Sequence, residues 1–354
     1  MTPKFLELYR CEGLPVFQNR VYPTPAEACA CPTGELRLAQ NLETGLISNL
    51  AFNPDLIIYD AFYQNEQAHS LAFQDHLDAV LDLIDRNFQD CSLIEVGCGK
   101  GVFLEKLSQR GYAVTGMDPA YEGDNPAILK QYFSPAAGVR ADCIVLRHVL
   151  EHIQDPVAFL QLLRDSNGGG GKIYIEVPCF DWICANRTWF DVFYEHVNYF
   201  RLADFSRMFG TVHYAAHSFG GQYLSVVAEL ASLRQPRYEA PPVTFPADFS
   251  ASIATHSQRL AAAPDRRRVV WGAASKGVIF SIHMARAGTP IHDVVDMNPA
   301  KQGFYLGVTG LRVSSPREIM AALPDGSEII VMNANYLEEI RSLTEQRYHY
   351  CSAT

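Results

Sequence analysis

Apolar residues recur at helical spacing from Leu71 to Phe88. Leu71, His76, Leu77, Val80, Leu81 and Ile84 share one side, and Asp75, Asp78, Asp82 and Asp85 fall on others. The pattern predicts an amphipathic helix. After Ser92 it changes to short apolar runs broken by glycine, which read as strands at Tyr112–Met117, Cys143–Leu146 and Lys172–Val177. Ahead of the first of these runs, Val102 to Arg110 reads as a helix with Phe103, Leu104 and Leu107 facing a sheet, ended by Gly111. The run Gly168–Gly171 precedes a strand rather than a helix, so it predicts a flexible turn and not a phosphate loop. Gly221 to Glu229 reads as a last strand of this unit.

A connector follows from Arg234 to Asp248, with Pro236, Pro241, Pro242 and Pro246, then a helix-forming stretch to about Ala263. A second strand–turn–helix pattern starts at Val269, with strands predicted at Asp293–Asp296 and Glu328–Met332 and a helix from Tyr336 to Gln346. Residues 1 to about 70 are rich in prolines and turn residues, which predicts irregular chain with short strands. The expected organisation is three units, 1–70, 71–233 and 234–354, and the alternation of strand and helix makes the class α/β.

The first glycine turn carries chemistry. Ile94-Glu95-Val96-Gly97-Cys98-Gly99-Lys100-Gly101 leads into a helix, and Asp118 and Pro119 stand at the tip of the next apolar run. Glycine suits a turn whose backbone meets a ligand, and a terminal carboxylate can accept two hydrogen bonds from a ribose diol. A dinucleotide fingerprint wants Gly or Ala where this chain has Val102. The loop instead resembles motif I of the class I S-adenosylmethionine (SAM) methyltransferases. Asp142-Cys143-Ile144-Val145-Leu146, ending in Arg147-His148, resembles the fourth-strand motif of that superfamily. The resemblance implies SAM as cofactor, with Glu95, Gly97, Gly99, Gly101, Asp118, Pro119, Arg147 and His148 around it. The alternative is a glycine turn that only closes a strand–helix unit.

Composition narrows the substrate. The net charge of -10 lacks the positive field that phosphate neutralisation needs, so no nucleic-acid partner is expected. Arg266-Arg267-Arg268 is the one dense basic run, read as a solvated turn before a strand. No run of 18 uncharged apolar residues occurs and the first residues lack a signal-peptide core, so neither a membrane span nor export is expected. Nine scattered cysteines suit free thiols in a reducing cytoplasm.

Longer motifs extend the resemblance over nearly the whole chain. Phe193-Tyr194-Glu195-His196-Val197-Asn198-Tyr199-Phe200, Gly272-Ala273-Ala274-Ser275-Lys276-Gly277 and Asp296-Met297-Asn298-Pro299-Ala300-Lys301-Gln302-Gly303 resemble signatures of the three-domain C-methyltransferases that act on nucleotide-linked deoxysugars. The family implies a small N-terminal cover, a central class I methyltransferase Rossmann-like sheet and a second, C-terminal Rossmann-like α/β domain that completes the sugar-nucleotide site. A monomer or homodimer is expected. The family's N-terminal zinc site is not expected: Cys11 and Cys31 each lack the second cysteine of a Cys-x-x-Cys pair, and Cys29 is poorly spaced. No metal is expected elsewhere.

Methylating carbon beside a keto group requires a proton to leave. His196 is the expected base, since its pKa lies near the working pH, with Glu195 orienting a sugar hydroxyl, tuning the imidazole or acting as base itself. By resemblance Tyr63, in the polar segment Tyr63–Gln67, reaches over the site and meets an enolate oxygen. Tyr194, Tyr199 and Gln222 are expected to face substrate and Lys276 to meet a phosphate. Glu151 and His152, a helical turn beyond Arg147 and His148, are expected to be structural. Sequence leaves O- or N-methylation of a related small molecule open. It also leaves open a scaffold that has lost catalysis, and disfavours an NAD-linked oxidoreductase because the Gly272 turn lacks the dinucleotide pattern.

Overall fold

The computed structural model describes residues 4–60, 62–66 and 68–354, on which all that follows rests. Among them the strands form four sheets. The largest has seven strands in the spatial order Ile128–Leu129, Val114–Met117, Leu93–Val96, Cys143–Arg147, Lys172–Pro178, Tyr223–Glu229, Val212–Ser218. The first five run parallel, and Tyr223–Glu229 is antiparallel to both neighbours. The chain winds outward from Leu93–Val96 in one direction, then returns to start Cys143–Arg147 on its other side. That reversal opens a crevice at the carboxyl ends of these two strands, where ligands bind in such sheets. The helix Leu71–Asn87 buries Phe73, His76, Leu77, Val80, Leu81 and Ile84, with Ser70 capping its start, whereas Leu71, expected on the same side, is exposed in the first turn.

The C-terminal unit is a five-stranded parallel sheet in the order Val313–Ser314, Asp293–Val295, Arg268–Trp271, Glu328–Val331, His349–Ser352. It reverses beside Arg268–Trp271. Helix Ser275–Arg286 packs closely on this strand: a Cβ at Gly277 would stand 1.9 Å from the Gly272 carbonyl oxygen.

The first 70 residues are more regular than their composition predicts. Phe5–Pro15 and Thr33–Asn41 are long antiparallel strands, extended by Ile47–Asn49. Register shifts between Glu7 and Tyr9 and between Cys11 and Leu14 break the period-two alternation that would reveal the first strand. The sheet is completed from outside, by Asn198–Tyr199 pairing with Ile47–Asn49. Val21–Tyr22 in turn pairs with Tyr305–Leu306 of the C-terminal unit. The N-terminal piece is thus paired with strands contributed by both later parts of the chain. Among the described residues no helix is long and apolar enough to cross a membrane.

Candidate active site

A cavity of about 320 Å³ lies where the seven- and five-stranded sheets present the tips of their parallel strands to one another. Its wall takes Gly97 and Gly99 from the first glycine turn, Arg147 and His148 from the next strand, Glu195 and His196 from the linking loop, and Lys276, Asp296 and Lys301 from the C-terminal unit. Tyr63 closes it from the N-terminal side. Gln67 of the expected polar cluster lies outside the described residues.

The glycine turn fits a ligand laid on its backbone. Gly97, Gly99 and Gly101 have φ of +72°, +55° and +82°, the left-handed region that favours glycine. A Cβ on Gly97 would strike Val149 at 2.4 Å, whereas one on Gly99 would meet nothing within 4 Å. Gly101 lies behind the cavity wall, turning the chain into helix Val102–Gln109. Asp118 also lies behind it. Its carboxylate accepts the Gly99 N–H at 2.9 Å and the Ala120 N–H at 2.8 Å, so it shapes the loop, and each oxygen keeps a second lone pair for a ligand. Pro119 is exposed and outside the wall, contrary to expectation, because the chain turns outward there. Glu95 is 3% exposed with one oxygen unpartnered, and burial pushes it up to about 8 against the pull of Arg147. An orphaned carboxylate beside an open glycine turn suits a cationic, adenosine-bearing cofactor.

Arg147 and His148 reach the cavity from a buried anchor that the sequence reading missed. Glu176, fully buried in strand Lys172–Pro178, accepts from Arg147 at 2.8 Å and from the Tyr174 hydroxyl at 2.9 Å. His148 Nε2 and His76 Nε2 lie 3.1 and 3.0 Å from its carboxylate. Burial opposes charge on Glu176, yet Arg147 and the two imidazoles hold it well below the usual carboxylate range. His148 sits at φ +52°, a strained conformation for a non-glycine residue. Burial works against its protonation too, but Glu151 and Glu176 raise it to about 9.

Glu151 and His152 were expected to be structural, and both line the cavity. The segment after Arg147 forms a single 3-10 turn, Leu150–His152, not an α-helix, so these side chains stay at the sheet edge. The His152 Nδ1 lies 3.0 Å from the Glu195 carbonyl oxygen. Side-chain ligand atoms of Glu151, His152 and His196 all fall within 4.8 Å of one another, a grouping that Cys11, Cys29 and Cys31 do not make among the described residues.

Tyr194 and Tyr199 are corrected most clearly. Neither lines the cavity. Tyr194 packs over Gly34, where a Cβ would stand 2.2 Å from its ring, and its hydroxyl accepts the Asn53 N–H at 2.8 Å. The Tyr199 hydroxyl bonds both the N–H and the carbonyl of Phe193 at 3.0 Å. Both rings bury apolar area in the cover and core, and this braces the loop so that Glu195 and His196 face inward. Glu195 is 1% exposed. One oxygen accepts from Tyr63 Oη at 3.3 Å and the other has no partner. Burial pushes its carboxyl up to about 8, with Tyr63, Asn19 and Lys301 pulling the other way. His196 packs on Phe193 with ring centroids 4.0 Å apart. Burial first, then His152, His148 and Lys276, hold it well below the usual histidine range. Its titration is therefore displaced from neutrality, and Glu195 takes that place.

Gln222 and Lys276 reach the cavity already engaged. Lys276 Nζ lies 2.8 Å from Asp191 and donates to Gln222 at 2.7 Å, while Gln222 donates to Asn333 at 2.7 Å. The expected phosphate lysine is thus charge-compensated, and the four residues clamp the C-terminal unit to the central one.

Residues 63–217 match the methyltransferase domain family, and residues 246–351 match the C-methyltransferase C-terminal domain family. The chain thus carries a methyltransferase domain followed by a C-methyltransferase C-terminal domain. Among curated proteins it is similar to the ubiquinone biosynthesis O-methyltransferases of Caulobacter vibrioides and Methylobacterium sp. (strain 4-46). The first is 27% identical over 25% of this chain and 41% of the relative, the second 34% identical over 23% and 39%. The chain thus spans about two fifths of the length of the curated relatives it matches. A solved plantazolicin methyltransferase, BpumL, in complex with a monoazolic desmethylPZN analog and SAH, aligns over 47% of this chain and 87% of its own at 17% identity, with a TM-score of 0.36.

Proposed function

We propose that the protein methylates a carbon next to a keto group on a nucleotide-linked sugar, organised as a cover (1–70), a SAM-binding unit (71–233) and a substrate unit (234–354). The observation that carries this reading is the position of Glu195: a buried carboxylate with an unpartnered oxygen, beside His196, on a cavity wall shared with a C-methyltransferase C-terminal domain. When bound, SAM supplies an electrophilic methyl group. Glu95, the Gly97–Gly101 turn, Asp118, Arg147 and His148 are the residues that would hold it. Glu195 removes the proton next to the keto group. His196, neutral at working pH, accepts a hydrogen bond from a substrate hydroxyl or relays the proton onward. Tyr63 holds the Glu195 carboxyl in place, and the packed walls exclude water and align the reacting atoms.

The likeness to ubiquinone O-methyltransferases favours one second reading, methylation of a hydroxyl through the same base. Mass spectrometry of products from a panel of nucleotide-linked keto sugars and of phenols separates the two. A methyl group that survives ether cleavage with hydriodic acid supports the first reading; a methyl ether, which loses it, overturns that reading.

Asp118→Ala is expected to weaken SAM binding by about 2–4 kcal/mol, since it loses charge-assisted bonds to a ribose and loosens the Gly99 turn. Calorimetry showing unchanged affinity would remove Asp118 from the cofactor site.

A further inference from the structure

The Tyr63 hydroxyl, expected to meet an enolate oxygen, is spent on Glu195. An enolate formed in a buried cavity still requires a positive partner. Arg147 donates to Glu176, Lys276 donates to Gln222 beside Asp191, His148 stands between Glu151 and Glu176, and exposed Lys100 donates to Gln64, so each of these cations has a side-chain partner at hydrogen-bond distance.

Lys301 is different. It is 2% exposed and lines the cavity. Its position follows from the self-bonded turn that begins at Asp296. Asp296 Oδ1 accepts the Asn298 N–H at 2.8 Å, Asn298 Oδ1 accepts the Ala300 N–H at 3.0 Å, and Gln302 Nε2 donates back to the Asp296 carbonyl at 3.0 Å. This knot leaves the Lys301 side chain one route, back beneath the Gly272 turn. There Nζ donates to the Ala273 carbonyl at 3.1 Å and stands 3.7 Å from Asp296 Oδ2, which is itself committed to the Ala273 N–H at 2.9 Å. An ammonium has three protons. One reaches Ala273, and the Asp296 distance is too long for a hydrogen bond.

We propose that Lys301 stabilises the enolate oxygen of the substrate, as the cation across the cavity from the Glu195 base. The inference rests on the carbon-methylation reading above. In the step, the proton on the carbon beside the keto group passes to the Glu195 carboxylate. The C–H pair becomes the C=C bond and the carbonyl π pair moves to oxygen, where Lys301 donates a hydrogen bond. The carbon then takes the methyl group, the C–S pair stays on sulfur, the C=O bond is restored, and Glu195 releases its proton to solvent. Burial holds the Lys301 amine below its ordinary value, with Lys100 acting in the same direction and Asp296 and Glu195 offsetting part of the shift. The turn from Asp296 to Gly303, which no cofactor or packing role explained, thereby delivers a cation to the junction of the two sheets.

The test is solvent exchange of the keto substrate in deuterated water, followed by NMR on the full chain. Wild type should exchange the hydrogen beside the keto group. Lys301→Ala and Lys301→Met should slow exchange by roughly a hundredfold or more, the usual worth of one oxyanion donor, and Lys301→Arg should recover part of it. Methylammonium should rescue Lys301→Ala in proportion to its concentration, which a merely structural lysine would not allow. Melting curves and SAM titration check that the variants fold; rescue by methylammonium is read only on a folded variant. Undiminished exchange in folded Lys301→Ala and Lys301→Met overturns the assignment to Lys301 while leaving the Glu195 reading intact. Absence of exchange in wild type, with a methyl ether as product, overturns both.

Discussion

Glu195→Gln is expected to slow methyl transfer by about a hundredfold or more, the usual worth of a positioned general base, and to remove a rise in rate with pH centred near pH 8. The sign follows from burial. The Glu195 carboxyl is pushed up to about 8, so at neutral pH most molecules hold the protonated, inactive form, and the base form grows as pH rises. The groups that face it are Tyr63, Asn19, Lys301 and Glu151, of which the first three favour its ionisation and Glu151 opposes it. His196→Asn should keep the same limb, because His196 is held well below its ordinary range and stays neutral across it. Glu95 is also pushed up to about 8, so the variant profile is what assigns the limb. A pH–rate profile that persists in Glu195→Gln and vanishes in His196→Asn would return the base to His196.

The strand–turn–helix units were legible because their physics is local. A buried parallel strand must be apolar and a turn that meets a ligand must be glycine, so Leu93–Val96, Gly97–Gly101 and Arg268–Trp271 stand out in the chain. The segments that were misread depend on partners far away in sequence. Phe5–Pro15 is bulged, and its sheet borrows a strand from Asn198–Tyr199. Tyr194 and Tyr199 flank the cavity residues in sequence, yet a turn at Tyr194–Glu195 and the short strand Asn198–Tyr199 send their rings the other way, into the cover and core. Glu151 and His152 enter the cavity only because a 3-10 turn replaces a helix. Lys301 and Glu176 had a signal, a lone charge in an otherwise apolar or turn-forming setting, but nothing in the sequence says which cation or anion each will face.

Glu176→Gln is expected to destabilise the central unit by about 3–5 kcal/mol, the usual consequence of removing one partner from a buried charged network. The carboxylate is fully buried and answers Arg147, Tyr174, His148 and His76 at once. Without its charge, the Arg147 guanidinium stays buried with no compensating anion in contact, and His148 retains only Glu151. The pH dependence has two ends. The Glu176 carboxyl lies well below the ordinary value, so its contribution is present above the unfolded carboxylate pKa and is lost as pH falls toward the folded one. His148 is raised to about 9, so its contribution is full below the unfolded value near 6.5 and is lost as pH rises through 9. Urea unfolding at pH 3, 5.5 and 9 reads both: the wild type should be most stable at pH 5.5, between the two limbs, and the variant should show a flatter, lower profile. The effect extends to function, because Arg147 and His148 are the wall beside the cofactor turn and His148 holds a left-handed conformation that these contacts enforce. SAM affinity should therefore fall with stability, under conditions where the variant is still folded. A loss of less than about 1 kcal/mol at pH 7, the scale of an exposed ion pair, would mean that Arg147 and His148 find other partners and that Glu176 does not set the cavity wall.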